Sequence, residues 1–405
     1  MGRARRIAAG AAGMLVFILV VKLASRDDPP PQDADLIPAA IPASAADDAY
    51  PVYRRLDAAL ALTQEERGVL SKDFDGAVPD EPAVAGFIAR STEALALFAR
   101  LDGRSAFLDP NYRDLSTVGP ATPVPIMASV VAAAEMTSLQ AESLLKAGRA
   151  RDALAKSLLI VDAGRALTRA RAQLLPNLVG TLLVQIGAKR ALAAARSGRL
   201  DRATLLEAAA RLSEPTDAAA SLQNGLRYEY VRQAYTLDHL DEFSIHRGEA
   251  GNTPRNLMIA SMARGGWYAY LPHRTKALFA GRFHLLVAEA ARPCLQARIP
   301  PFSPLPIGLR PNIVGRILFN IATPSYEKLY TRRCETDFRL TAAAAGAALQ
   351  AYRLDHGRFP ASLSELTPGY LAAAPVDAFT DAAPVYSSQT GEIHSAGADS
   401  EGKPL

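Results

Sequence analysis

Apolar residues recur at helical spacing over most of the chain, most clearly between residues 124 and 242. Positions three and four apart lie on one face of a helix, so this pattern predicts amphipathic helices rather than strands. Gly148 and Gly198 interrupt it, because glycine readily takes the left-handed conformation that ends a helix. Short turns between long helices favour antiparallel hairpins, so we predict an irregular helical bundle or solenoid. The predicted helices cover residues 124–147, 149–169, 173–196, 201–212 and 217–242.

Shorter helical patterns flank this region at residues 49–62, 81–101 and 275–291. A proline-punctuated stretch, residues 299–311, then leads into an apolar segment at residues 313–321. The simplest interpretation of residues 313–321 is a core helix. The alternatives are a helix lying on the membrane surface and a contact for another protein of the cell envelope.

The N-terminal pattern predicts a membrane anchor. Three arginines precede an apolar run at residues 7–21, and Pro29, Pro30 and Pro31 follow it. Basic residues before an apolar segment place the N-terminus in the cytoplasm and the rest of the chain outside. The run is about 15 residues, shorter than the about 20 of a full span, but Leu23 and Ala24 extend it past Lys22.

We therefore predict that residues 1–25 form a basic tip and an uncleaved single-pass anchor, inserted into a bacterial inner membrane through residues 7–25. A cleaved signal peptide is the alternative. Residues 26–48 are rich in Pro, Ala and Asp, a composition that predicts a tether between membrane and domain.

Composition and charge indicate how the helices pack and which partners and compartment to expect. Abundant alanine and a 7% aromatic share favour closely packed helices. Lys and Arg number 45 against 41 Asp and Glu, and the excess is scattered, so we expect no nucleic-acid partner. The two cysteines, Cys294 and Cys334, are compatible with an oxidising compartment, either as one disulfide or as two free thiols.

Candidate catalytic chemistry is sparse. The densest polar cluster contains Asp238, His239 and Glu242, for which a solvated helix end is the simplest interpretation. Glu229 stands among tyrosines, and we expect it to face water. No serine-hydrolase elbow, zinc-protease, P-loop or kinase signature occurs in the sequence. We therefore assign no catalytic, cofactor or metal residue, although convergence of Glu229, Asp238 and His239 would favour a hydrolase-like enzyme.

Residues 349–399 contain an ordered series of residues with specific backbone or packing roles. An alanine-rich helix at residues 338–354 ends before Gly357, which can take positive φ. Ser362 and Glu365 have the spacing of a capping box. Tyr386 and Ile393 mark two short strands of a hairpin.

This series resembles the C-terminal module of the major pseudopilins of type II secretion systems over about residues 338–401. The residues that carry the resemblance are Tyr352, Asp355, Gly357, Phe359, Pro360, Leu363, Leu366, Pro375, Asp377, Phe379, Tyr386, Ser395, Gly397 and Asp399. Ala378 departs from the family's second proline, and the N-terminal apolar run lacks the glutamate of a processed pilin. The resemblance implies a small α+β module and an association with a secretion or pilus-like assembly.

The resemblance also bears on cofactors. In that family the loop after the last motif helps to hold calcium, for which carboxylates are hard ligands. Here the corresponding acids are Asp399 and Glu401, without the family's closing residues. We expect a structural cap and no cofactor.

These observations together predict a mainly α-helical protein. The expected domains are the anchor at residues 1–25, the tether at 26–48, an α-helical domain at 49–335 and a pseudopilin-like α+β module at 336–405. The expected function is that of a non-enzymatic scaffold or binding protein of the periplasmic cell envelope, with an envelope enzyme, its site in a groove of the helical domain, as the alternative.

Overall fold

The structure is a computed structural model, and the residues that it describes begin at Arg26, beyond the predicted anchor. The described residues are 26–38, 47–60, 63, 65–66, 81–101, 104, 107–112, 114–115, 118, 127–169, 174–240, 269–297, 299, 301–307, 311–323, 326–398 and 402–405.

Eleven α-helices lie within the described ranges, and the predicted mainly helical fold is confirmed. In chain order they are α1 (Tyr50–Ala59), α2 (Glu81–Arg90), α3 (Thr92–Ala99), α4 (Ala128–Lys146), α5 (Ala150–Thr168), α6 (Leu174–Arg196), α7 (Arg202–Leu212), α8 (Ala218–Asp238), α9 (Pro272–Ala291), α10 (Ile313–Ala322) and α11 (Glu327–His356). Two short strands, β1 (Val385–Tyr386) and β2 (Ile393–His394), pair antiparallel. Three 3-10 turns, Ala34–Leu36, Pro110–Tyr112 and Leu363–Leu366, complete the described elements.

The helices of the periodic region match the predicted ranges closely, and both predicted glycine breaks are confirmed. Gly148 and Gly198 have φ of 82° and 71°, in the left-handed region that favours glycine. The helix predicted at residues 81–101 is instead two helices, α2 and α3. The break lies at Ser91, where the neighbouring Thr92 hydroxyl donates to the Ala89 carbonyl and competes with the regular backbone ladder.

α5 and α6 form the most closely packed pair of helices in the described part of the chain. A Cβ built on Gly180 of α6 would lie 2.6 Å from the carbonyl oxygen of Gly164 on α5, far inside van der Waals contact. Helices α4, α7 and α11 pack around this hairpin. The resulting core consists largely of alanine and leucine side chains, as the composition predicts.

α8 and α9 pair to build a second core that is rich in aromatic residues. Tyr230, Phe279 and Phe283 are fully buried there, and α10 packs on α9 through Phe319. Cys294, just after α9, forms a disulfide with Cys334 on α11. Of the two alternatives left by the sequence, the disulfide is therefore the one present, and it joins this second core to α11.

α11 is longer than predicted, since it begins at Glu327 rather than at Phe338. The predicted domain boundary between residues 335 and 336 falls inside this continuous helix. The C-terminal half of α11 packs on α6 and α7, and Leu363, Leu366 and Leu371 cover its end. The described residues after α11, 357–398 and 402–405, therefore share a core with the helical domain, and we call them the C-terminal module.

Within the described ranges, one helix is long and apolar enough to cross a membrane, namely α6. In the folded chain, however, α6 is enclosed by α4, α5, α7, α8 and α11. Its apolar composition is accounted for by burial on several sides, which is the behaviour of a core helix.

Candidate functional site

Glu229, Asp238 and His239, the three candidates for acid–base chemistry, each have a local partner on or beside α8. Glu229 pairs with Arg232 at 3.3 Å, and Asp238 pairs with Lys276 of α9 at 2.6 Å. The His239 ring stacks on Tyr235 at 4.0 Å, and its Nδ1 lies 2.9 Å from the Tyr235 carbonyl oxygen. The expectation that Glu229 faces water is wrong, because its side chain is only 12% exposed.

These residues do not form a common site. Glu229 and Asp238 are nine residues apart on one helix, which separates them by about 13 Å along its axis. Among the described residues no group of His, Cys, Asp and Glu side chains could hold a metal ion. Asp399 and Glu401, the acids considered for calcium, lie outside the described residues. Glu229, Asp238 and His239 therefore do not converge in the way that the enzyme alternative requires.

The segment after the predicted anchor is built onto the N-terminus of α9. Pro272 occupies the first position of α9, and the next two amides, of His273 and Arg274, have no partner within the helix. Both donate to the Asp27 carboxylate, at 2.8 and 3.0 Å. Arg274 also forms two hydrogen bonds with the Asp28 carboxylate, at 3.0 and 2.8 Å, which hold the pKa of Asp28 below its ordinary value. A remote segment thus caps this helix.

The same segment continues across α8 and α9. The Tyr230 hydroxyl donates to Asp33, and His284 of α9 lies 2.9 Å from the Asp35 carboxylate. Leu36 is completely buried among the aromatic residues of the second core. We define residues 26–38 as the docked segment. The predicted tether at residues 26–48 is therefore not free along the docked segment, because charge pairs and a buried leucine fix it.

Sequence reasoning missed the docked segment as a site. Its signal was present, since four aspartates and one leucine stand among the prolines of residues 27–36. The partners of those aspartates, however, lie about 190 to 250 positions away along the chain.

The motif residues near the C-terminus converge on one buried aspartate. Asp377 is 1% exposed and accepts hydrogen bonds from the Phe379 amide, the Ser395 hydroxyl and the Ala396 amide, at 2.9 to 3.0 Å. A Cβ on Gly397 would lie 2.3 Å from the Phe379 ring, so only glycine leaves room for this ring. These residues therefore hold a turn together.

The remaining motif residues fasten this module to the helices. Gly357 has φ of 70° and ends α11, and Ser362 and Glu365 form the predicted capping box. Tyr352 donates to Glu365 at 2.8 Å. Asp355 accepts a hydrogen bond from Arg202 of α7 at 2.7 Å, which lowers the pKa of Asp355. The predicted hairpin is confirmed by the pairing of β1 with β2.

The predicted contact segment, residues 313–321, corresponds to α10. Val314 and Phe319 are buried, so part of the helix belongs to the core as the simplest interpretation requires. Ile313 and Ile317 are half-buried and pack in part against the cluster of Leu240 and Val314, and Ile321 is 48% exposed. We call this apolar side, together with the neighbouring loop at residues 301–307, the α10 surface.

No family model matches this sequence, nor does any curated protein or solved structure match this chain.

Proposed function

We propose that this chain is a membrane-anchored, non-enzymatic scaffold or binding protein of the bacterial cell envelope. The observation that carries the proposal is the docked segment. It directly follows the predicted anchor, and it joins α8 and α9 through Asp27, Asp28, Asp33 and the buried Leu36. Such a junction suits a protein that holds a binding surface in a defined position relative to the membrane.

Two further observations support this function and its location. The Cys294–Cys334 disulfide fits an oxidising compartment such as the periplasm, where such bonds persist. Glu229, Asp238 and His239 are engaged in separate local pairs.

The C-terminal module is the element that we assign to partner binding. It carries two exposed apolar side chains, Val376 at 46% and Val385 at 58% exposed, on a frame fixed by Asp377. The resemblance to pseudopilins supports, by analogy, a partner in a secretion or pilus-like assembly.

Photocrosslinking in intact cells tests this function. A photoreactive amino acid is placed at Val376 or Val385 of the full chain, with Leu175 on α6, itself 36% exposed, as the matched control. We expect a discrete adduct with an envelope protein from the two module positions and none from Leu175. A pattern in which neither module position yields an adduct above the control overturns the scaffold function.

A further inference from the structure

The docked segment fixes where the chain leaves the folded body towards the predicted anchor. Asp27 caps the first turn of α9, and Arg274 binds both the Asp28 carboxylate and the carbonyl of Arg26. Val21, the last residue of the apolar run, is five residues before Arg26. Even a fully extended chain of that length spans only about 17 Å. A bilayer that holds the apolar run therefore lies within that distance of the start of α9.

α10 begins at this same end of α9. The Asn312 side-chain oxygen accepts hydrogen bonds from the Leu271 amide and the Thr275 hydroxyl, both at 2.9 Å. The Val314 amide donates to the Ala269 carbonyl at 2.9 Å. These contacts hold the first turn of α10 beside the first turn of α9, close to the exit of the chain.

The loop at residues 301–307 extends the apolar side of α10. The Asn320 side chain both accepts from the Leu305 amide, at 2.8 Å, and donates to its carbonyl, at 2.9 Å, so the loop runs along the helix. Phe302 packs against Phe319 of α10. Two residues beyond Leu305, Ile307 is 41% exposed, and Pro304 and Pro306 are exposed as well. The α10 surface is thus an aliphatic strip made from two segments.

The chemistry of this strip fits a bilayer better than a second protein. The helix part of this strip is about 15 Å long and about 10 Å wide, which is small beside the about 800 Å² that each partner buries in a typical specific protein interface. Arg316 lies on α10 beside these residues, and a basic residue beside an apolar face is typical of helices at the lipid–water interface. Every anchored copy of the chain also has lipid within reach.

We propose that the α10 surface lies in the interfacial region of the bilayer that holds residues 7–25. This proposal rests on the anchor in the proposed function. The docked segment and the α10 surface then act together, since one fixes the distance of the body from the membrane and the other fixes its orientation.

The test measures the depth of single positions in lipid. Full-length chains with Ile307→Cys or Ile321→Cys are labelled with an environment-sensitive fluorophore and reconstituted into vesicles of phosphatidylethanolamine and phosphatidylglycerol. Both side chains are exposed, so labelling leaves the core intact, and the paired Cys294 and Cys334 do not react. Leu354→Cys on α11, at a 55% exposed position, is the control, and Leu15→Cys reports on the anchor.

We expect lipids with a nitroxide near the headgroup to quench the labels at residues 307 and 321 at least twofold, and to leave residue 354 unchanged. A quenched label at residue 15 with unquenched labels at 307 and 321 overturns this proposal and leaves the anchor in place. For residue 15, in the middle of the apolar run, the nitroxide is placed at the end of the lipid acyl chain, and an unquenched label there overturns the anchor as well. Labels at 307 and 321 that are shielded from aqueous iodide without lipid quenching indicate a protein partner or a second copy, which also overturns it.

Discussion

Replacing Gly180 by alanine tests the close backbone contact between α5 and α6. A Cβ at this position would lie 2.6 Å from the carbonyl oxygen of Gly164, 2.7 Å from the amide nitrogen of Thr168 and 2.8 Å from Cβ of Leu167. Backbone atoms supply the two shortest of these contacts, so no side-chain rotation relieves them. α5 and α6 must move apart instead, which loosens the alanine-rich core on both sides.

The magnitude follows from two opposing effects. Overpacking of a well-packed core costs about 1–3 kcal/mol, and backbone contacts under 3 Å place Gly180→Ala at the upper end. Alanine in a helix is more favourable than glycine by about 1 kcal/mol, which offsets part of that cost. We therefore expect Gly180→Ala to lower the free energy of unfolding by about 2 kcal/mol, through the sum of these effects.

Gly281 on α9 provides the matched control. It lies on an exposed helix face, and a Cβ there meets no atom within 4 Å. Gly281→Ala should therefore raise the free energy of unfolding by about 1 kcal/mol, from helix propensity alone. Urea unfolding of the full chain in detergent, followed by circular dichroism, compares the two variants. If Gly180→Ala raises the urea midpoint as Gly281→Ala does, α5 and α6 are not in backbone contact and the packing argument is refuted.

Three further predictions concern the disulfide, a buried acid and the C-terminal module. Cys334→Ser opens a loop closed over 40 residues and should lower the free energy of unfolding by about 4 kcal/mol. A reductant should destabilise the wild type alone, and a wild type insensitive to it would contradict this. Burial raises the pKa of Asp337 from 3.8 to about 6, so the native state binds that proton more tightly than the unfolded chain. The contribution of Asp337 to stability is then complete below about pH 4 and is lost as the pH rises through about 6. Asp337→Asn should remove this pH dependence. If the free energy of unfolding changes with pH in the same way in both proteins, the assigned role of Asp337 is wrong. Asp377→Ala leaves three donors without their acceptor and should cost about 2–4 kcal/mol locally, detected as faster proteolysis within residues 375–398. Ser395→Ala removes one of these three donors and the acceptor of the Gly397 amide, and should have a smaller effect. Equal cleavage rates in both variants and the wild type would count against the assigned role of Asp377.

The parts of the fold that could be predicted from the sequence are those set by neighbouring residues. α4 to α8 follow local apolar periodicity, and their ends at Gly148 and Gly198 follow the backbone freedom of glycine. The capping box of Ser362 and Glu365 is likewise a pattern within four residues. Which surfaces these elements cover depends on tertiary packing. The continuity of α11 across the expected domain boundary was therefore not predictable, since Glu327 to Asp337 read as readily as a separate segment.

The docked segment shows why composition alone predicted a free tether where the chain is attached to the folded body. Proline and aspartate predict a solvated linker when nothing is known of their surroundings, because such residues bury little apolar surface. In the folded chain, Asp27 accepts hydrogen bonds from two amides in the first turn of α9, and Asp28 accepts hydrogen bonds from the Arg274 side chain. The aspartates that suggested a free tether are thus the residues that attach it. Asn312 holds the start of α10 at this same end of α9, so in the arrangement that we propose these aspartates also set which surface of the protein faces the membrane.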